Sequence, residues 1–352
     1  MNRLVSAVSR RSFLAGTAGV LAAPMLIRAT RANASSGSVM MVGYGGSYQE
    51  ILTKYVMTPF TEETGIKVSF VPAPDLAKIK AMLLTGNIEW DIYNGNGTWA
   101  ASGSKQGFWE KLDASAFDLK DLRILPSSDV VTLDLYAAGV AWDPKKYGPG
   151  QHPVNFVEFF DLKKFPGRRC LRKNPDAALE AALLADGVAP KDIYPLDLDH
   201  AFSVLDRIKS SIVWASATTQ TISLVQTGEV DFGYTYNNRV KATNEPGGGV
   251  PLAFSLKQNL IFTEPLAVLK GAPNKENAMK LIAYMLRPEV QVRMDDQLGF
   301  LPVSKKAEPM LSADVRKWQP DLSNPNSVMM SNEYWADHFE AVSSRFQEWL
   351  LS

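Results

Sequence analysis

The stretch that decides the fold is SVMMVGYGGSYQEILTKYVMTPFTEETGIKVSFVPA, residues 38–73. Its first apolar run, SVMMVGY, predicts a buried strand, and the amphipathic segment that follows predicts a helix ending at Gly65. A second strand, IKVSFVPA, comes directly after this glycine. Short strands that alternate with helices over short connections are typical of a doubly wound α/β sheet.

The same alternation continues along the chain. DLAKIKAMLLTG predicts a second helix ending at Gly86, and WDIYNGNG predicts a third strand that runs into a Gly/Asn loop. ISLVQTGEVDFGYTYNNR, in the second half, has a similar order and predicts a second lobe of similar plan. In such sheets ligands bind beyond the carboxyl ends of the strands, which here carry GYGGS and YNGNGTW.

The first 34 residues have the features of an export signal. Arg10 and Arg11 precede an apolar stretch, residues 13–27, and Ala32-Asn33-Ala34 fits a cleavage site. SRRSFL resembles the twin-arginine motif, and an ordinary secretory signal is the alternative. The sequence therefore predicts a periplasmic protein, with the twin-arginine export machinery as a partner.

Composition excludes several classes of protein. Without the five leader arginines, 32 basic residues stand against 37 acidic ones, a formal charge of −5 that argues against nucleic acid as a partner. Cys170 is the single cysteine, and the three histidines lack metal-ligand spacing, so we expect no disulfide, no metal and no cofactor. The chain has no G-x-S-x-G, P-loop or H-E-x-x-H motif, so an enzyme is not expected and a secreted hydrolase is the least favoured alternative.

An ordered set of segments resembles the periplasmic solute-binding proteins of ABC importers, and within them the polyamine-type branch of extracellular solute-binding family 1. The segments are PFTEETGIKV, WDIYNGNG, YAAGVAWDP, QTGEVDFGYTYNN and FTEPLAVLKGAPNKENAMKLIAYMLRPEVQ. The resemblance implies a two-lobed α/β periplasmic-binding-protein fold of type II. Each lobe would be a mainly parallel sheet flanked by helices, with a small amine ligand in the interlobe cleft and a membrane permease as partner.

The resemblance also implies boundaries for the lobes. Lobe 1 would comprise 35–140 and 262–312, and lobe 2 would comprise 141–261 and 313–352. The chain would cross between them near Ala138–Asp143 and return near Leu260–Pro265.

The loop after the first strand is the first candidate for ligand contact. Ser47 and Glu50 fit a capping box at the start of a helix. Gly45 and Gly46 keep the loop free of side chains, so its N–H groups are suited to an anion. By resemblance, Tyr48 falls on an aromatic position that sandwiches an alkyl-ammonium chain, whereas Gly45 replaces the other aromatic residue.

The resemblance assigns ligand contacts to four further segments. Trp99, in the same loop as Asn96, falls at or beside an aromatic cage position, and Tyr236 stands where the relatives carry tryptophan. Aromatic faces attract ammonium groups. Asp176 lies near an acidic position of the relatives, and Glu264 falls on the acidic position that takes the ligand amine. Glu264 also interrupts an apolar segment, where a buried carboxylate needs a partner.

Arg239 indicates a different ligand. It follows YNN at a strand end, where a guanidinium can hold a carboxylate with two hydrogen bonds, and Arg172 is a lesser candidate. If Arg239 and Glu264 both face the cleft, the ligand carries an acid and an amine. A γ-amino acid and a polyamine both stay open. A ferric iron-binding protein of the same fold is the alternative, because Tyr234 and Tyr236 share one strand face.

Overall fold

A computed structural model describes residues 37–352. The predicted export signal, residues 1–34, lies outside the described residues. None of the helices in the described part combines the length and the apolar character that a membrane crossing requires.

The strands of the described chain join into one mixed sheet. Their bounds are Ser38–Gly43 (β1), Lys67–Pro72 (β2), Ile92–Asn94 (β3), Val131–Trp142 (β4), Arg169–Arg172 (β5), Ile212–Ala215 (β6), Phe232–Tyr236 (β7), Ala253–Phe254 (β8), Leu260–Val268 (β9), Leu301–Pro302 (β10) and Val328–Met329 (β11). The main order is β2-β1-β3-β9-β4-β7-β5-β6.

Strand direction divides this sheet into three parts. β1 pairs in parallel with β2 and β3 at one end, and β5 pairs in parallel with β6 and β7 at the other. The long strands β4 and β9 lie between them and pair antiparallel to each other. The predicted crossing segments 138–143 and 260–265 fall on these two strands, with Asp143 just past the end of β4. The central pair of strands, β4 and β9, therefore connects the two parallel ends of the sheet.

Helices cover the sheet and follow most of its parallel strands. Their bounds are Ser47–Leu52 (α1), Thr58–Thr64 (α2), Leu76–Thr85 (α3), Gly97–Gln106 (α4), Phe156–Phe160 (α5), Pro175–Ala185 (α6), Leu198–Asp206 (α7), Thr218–Gln226 (α8), Asn237–Thr243 (α9), Lys275–Met285 (α10), Pro288–Leu298 (α11), Ala313–Arg316 (α12) and Asn332–Leu351 (α13). A π-helical stretch, Thr53–Met57, joins α1 to α2.

The elements predicted from the opening stretch are confirmed. Gly65 and Gly86 end their helices in the left-handed conformation, with φ of 73° and 71°, which glycine adopts without steric cost. The predicted capping box is wrong. The helix begins at Ser47 itself, so Gly46 takes the capping position, and within residues 37–352 no side chain caps α1.

Buried apolar side chains form two large clusters. One includes Met41, Leu52 and Phe60 together with residues of β9, α10 and α11. The other includes Phe156, Phe232 and Trp335, with residues of α6, α7 and α13. Because these clusters lie on the two parts of the sheet that flank β4 and β9, the parallel ends are each supported by a core of their own.

Candidate functional site

One cavity, the central cavity, lies where the carboxyl ends of strands from both parts of the sheet meet. Its volume is about 150 Å³, below the roughly 300–1,000 Å³ of sites that take drug-sized ligands. Its lining residues are Tyr44, Tyr48, Asn96, Tyr136, Arg172, Asn174, Asp176, Thr218, Tyr236, Asn238, Arg239, Phe262, Glu264 and Phe300. A site of this size and lining suits one small, polar solute.

Aromatic side chains form one wall of the cavity, and strand register brings them together. In the β4–β9 pair Tyr136 lies opposite Phe262, and the two rings stack with centroids 5.3 Å apart and planes 7° from parallel. Tyr236, at the end of β7, packs edge-on to Tyr136 at 5.7 Å, and Phe300 packs against the same ring at 5.4 Å. Tyr48 continues the wall, 6.3 Å from Phe300.

Glu264 is a buried carboxyl group of the cavity. It is only 2% exposed, lies two residues beyond Phe262 on the same face of β9, and faces Asp134 across the β4–β9 pair. Burial, and secondarily the charge of Asp134, raise the pKa of Glu264 well above its usual value, and Asn94 and Arg239 act in the opposite direction. Within the described chain, nothing donates a hydrogen bond to Glu264 Oε1. A cationic ligand group would satisfy this oxygen and favour the charged form.

The opposite charge lies at the end of β5 and at the start of α9, beside the start of α8. Arg172 ends β5, and one of its terminal nitrogens donates to the hydroxyl of Thr218, the first residue of α8. Asn238 and Arg239 lie in the first turn of α9. Among the ion pairs formed by residues 37–352, none includes Arg172 or Arg239. Helix starts and unpaired guanidinium groups both favour an anion, such as a ligand carboxylate.

Asp176 lies beside Arg172 on an unusual turn. Its own ψ is 136°, and the next residue, Ala177, has a φ of 70° inside the first turn of α6. Burial raises the pKa of Asp176 to about 6, and the nearby charge of Arg172 partly offsets this. Its Oδ1 accepts no hydrogen bond from the part of the chain that the structure describes. The cavity therefore holds two carboxyl groups and two guanidinium groups.

The structure brings some of the predicted residues together and not others. Six of the predicted residues line the central cavity: Tyr48, Asn96, Asp176, Tyr236, Arg239 and Glu264. Gly46 and Ser47 are exposed at the start of α1, and Gly45 packs against Pro72 instead of lining the cavity. Trp99 lines a separate cavity between α3, α4 and α13, because Asn96 caps α4 and the chain turns there. Their placement does not support the prediction that these four contact the ligand.

Sequence reasoning missed most of the aromatic wall. Tyr136 and Phe262 lie in apolar strands and become neighbours only through the register of the β4–β9 pair. Tyr44 directly precedes Gly45, so the aromatic residue expected at Gly45 is present one position earlier. Tyr44 is therefore the available signal in the sequence, one residue before the position that the resemblance assigns to the second aromatic residue.

The family model of the bacterial extracellular solute-binding proteins matches residues 56–321. The chain belongs to this family. It is therefore a periplasmic binding protein that captures a solute for import, and it is not an enzyme.

Individual relatives cover most of the chain. A γ-aminobutyric acid-binding protein of Pseudomonas aeruginosa is 31% identical over 334 residues, which cover 91% of this chain and 93% of the relative. A spermidine/putrescine-binding periplasmic protein of Escherichia coli is 22% identical and covers 87% of this chain and 89% of its own length. The solved structure of a GABA receptor superposes with a TM-score of 0.82 at 32% identity, over 89% of this chain and 98% of that one. The predicted periplasmic-binding-protein fold is thus confirmed.

Proposed function

We propose that the protein captures a small ω-amino acid of the γ-aminobutyrate class and delivers it to the permease of an ABC importer. The observation that carries this proposal is the pairing of opposite charges in one small cavity. Glu264 has a buried carboxylate oxygen without a donor, and Arg239 has a half-buried guanidinium without an ion pair, both with respect to residues 37–352. The ligand ammonium would bind at Glu264, and its carboxylate would bind at Arg239 and Arg172.

The aromatic wall supports the same ligand. Tyr44, Tyr48, Tyr136 and Tyr236 present ring faces or edges to the methylene chain and the ammonium group between the two charged ends. Each aromatic face attracts an ammonium by about 0.5–2 kcal/mol. A chain of a few methylene groups also matches the cavity volume of about 150 Å³. The names of the relatives agree with this class of ligand, because two of them are named for γ-aminobutyrate.

A polyamine of the putrescine or spermidine type is the alternative ligand. Asp176 and Glu264 would serve its two ammonium ends, and a relative at 22% identity is named for this class. A diamine would, however, leave Arg172 and Arg239 without an anion and would bring positive charge close to both. Repulsion between like charges in a buried site costs binding free energy. The two arginines therefore favour the zwitterion over the polyamine.

Ferric iron is the second alternative, and the tyrosines argue against it. Iron would require phenolates, but burial raises the pKa of Tyr44 and of Tyr136 well above 10, and the charge of Glu264 adds to this effect. Tyr234, the other predicted tyrosine, is buried and does not line the cavity.

We further propose that the ligand is enclosed by closure of two lobes, 35–140 with 262–312 and 141–261 with 313–352. The separate apolar clusters support this division, because one draws on residues such as Val39 and Val303 and the other on residues such as Phe156 and Phe346. Closure would bring Glu264 and Arg239, from different lobes, onto one ligand.

A ligand panel tests the proposed function. With purified 35–352, γ-aminobutyrate is expected to raise the melting temperature, because a ligand that binds the folded state alone stabilises it. Putrescine, spermidine, n-butylamine, butyrate and ferric citrate are expected to give little or no shift. Small-angle scattering of the same samples is expected to give a smaller radius of gyration with γ-aminobutyrate. A shift with putrescine and none with γ-aminobutyrate would favour the polyamine alternative and contradict the proposal.

We also propose export by the twin-arginine route, on the basis of Arg10 and Arg11. Replacing both with lysine is expected to keep the full-length protein in the cytoplasm, measured by immunoblot of periplasmic fractions. Replacing Arg28 and Arg31 with lysine, in the same leader, is the matched control and should leave export unchanged. Equal export of both variants would indicate the ordinary secretory route.

A further inference from the structure

Glu180 is a fully buried carboxylate outside the central cavity, on α6. Its Oε2 accepts the backbone N–H of Ala177 at 2.8 Å. Its Oε1 accepts the Tyr194 hydroxyl at 2.7 Å and the indole N–H of Trp335, on α13, also at 2.7 Å. A buried carboxylate that accepts three hydrogen bonds is held by them in one position.

The hydrogen bond to Ala177 lies at the point where the chain departs from helical geometry. Ala177 has a φ of 70°, a left-handed conformation that is sterically unfavourable for a residue with a Cβ. Regular helix resumes after Ala177, so Glu180 is the third residue of that helix. Its carboxylate accepts the N–H of Ala177, as the glutamate of a capping box does at the start of a helix. Ala177 has no side chain that could cap the helix in its place.

Asp176 is the residue that this turn directs into the central cavity. We infer that Glu180 is a positioning residue for ligand binding: it holds the Asp176–Ala177 turn so that the Asp176 carboxyl stays in the cavity beside Arg172, and it ties that turn to α13 through Trp335. The inference rests on the proposed function in so far as Asp176 contacts the ligand. The position of the Asp176 carboxyl itself does not depend on which ligand binds.

Glutamine is the most informative replacement for Glu180, because glutamine is neutral and all three hydrogen-bond partners of Glu180 are donors. Glu180→Gln keeps the shape of the side chain, but its amide N–H₂ then faces a donor. In the ligand-free protein we expect the Ala177 amide to exchange with solvent at least tenfold faster. We also expect the pKa of Asp176, about 6 in the wild type, to fall towards its ordinary value of 3.8 as the carboxyl leaves the buried position.

Binding of γ-aminobutyrate supplies the second measurement. Asp176→Asn and Glu180→Gln are each expected to change affinity by one common factor, roughly tenfold, and the double variant by that factor once instead of twice, because both remove the Asp176 carboxyl from the cavity. Glu158→Gln is the matched control: this carboxylate also accepts a backbone N–H at a helix start, at 3.0 Å from Val154, and does not line the cavity. Its affinity for γ-aminobutyrate should equal that of the wild type.

Tyr194→Phe is the second variant, and it keeps the carboxylate while removing one of its donors. It should raise the Ala177 exchange rate and lower the Asp176 pKa, each by less than Glu180→Gln does. Unchanged exchange and an unchanged Asp176 pKa in Glu180→Gln would overturn the inference, and so would additive effects in the double variant. If the wild type does not bind γ-aminobutyrate, the proposed function fails, and the ligand-free exchange and pKa measurements still decide the role of Glu180.

Discussion

Replacing Glu264 with glutamine is expected to lower γ-aminobutyrate affinity by roughly 100-fold, close to 3 kcal/mol. The carboxylate is 2% exposed, and in residues 37–352 its Oε1 has no donor, so its charge is available to the ligand ammonium. Glutamine keeps the shape and removes that charge. Isothermal titration measures the loss, and Glu289→Gln, an exposed carboxylate on α11, is the matched control.

The same substitution is expected to stabilise the ligand-free protein at neutral pH. Burial raises the pKa of Glu264 well above 4.5, so between that ordinary value and the raised one the folded state holds more protons than the unfolded state. The free energy of unfolding therefore falls as the pH rises through this window. Glu264→Gln removes this contribution, so its denaturation midpoint should fall less between pH 5 and pH 8 than that of the wild type. A Glu264→Gln midpoint that falls with pH as steeply as that of the wild type would mean that the pKa of Glu264 is not raised in the folded state.

Replacing Arg239 with methionine is expected to lower γ-aminobutyrate affinity by a similar factor, roughly 100-fold, through loss of the carboxylate contact. Its side chain lies in the first turn of α9, lines the cavity and has no ion-pair partner within the described residues. Methionine retains the apolar stem and removes the guanidinium. Arg316→Met, an exposed arginine on α12, is the control.

A comparison of two ligands distinguishes the loss of a carboxylate contact from a general loss of ligand binding. Wild-type protein should prefer γ-aminobutyrate to n-butylamine by roughly 100-fold, because the two differ in the carboxylate alone. Arg239→Met should lose most of this preference, since it weakens binding of the first ligand and leaves the second nearly unchanged. If the variant keeps the full preference, Arg172 holds the carboxylate without Arg239, and the assignment of Arg239 is wrong.

Part of the site was predictable because it lies at recognisable ends of local elements. Arg239 follows a strand that the alternation of residues predicts, and Glu264 is conspicuous as a charge within an apolar run. Tyr48, Asp176 and Tyr236 came from resemblance to known solute-binding proteins. All five line the central cavity. Their contacts with a ligand stay predictions until the ligand is identified.

Other parts of the site depend on contacts between distant segments. Tyr136 meets Phe262 through a strand register that joins residues 126 positions apart, and no local pattern specifies that register. Trp99 was assigned to a cage position by resemblance, but it follows the N-cap of α4 at Asn96 and lines a different cavity. Glu180 lies on α6, and its proposed role depends on Trp335, from the last helix.

The sequence by itself determined the alternation of strands and helices, the glycines that end α2 and α3, the family and the exclusion of enzyme chemistry. These features depend on residues close together in the chain, where periodicity and backbone preference act directly. The tertiary structure alone decided which side chains share the central cavity and which buried carboxyls have donors. Those properties arise from pairing and packing between distant segments, so among the described residues the buried carboxyl of Glu264 has an oxygen without a donor, whereas the buried carboxyl of Glu180 accepts three hydrogen bonds.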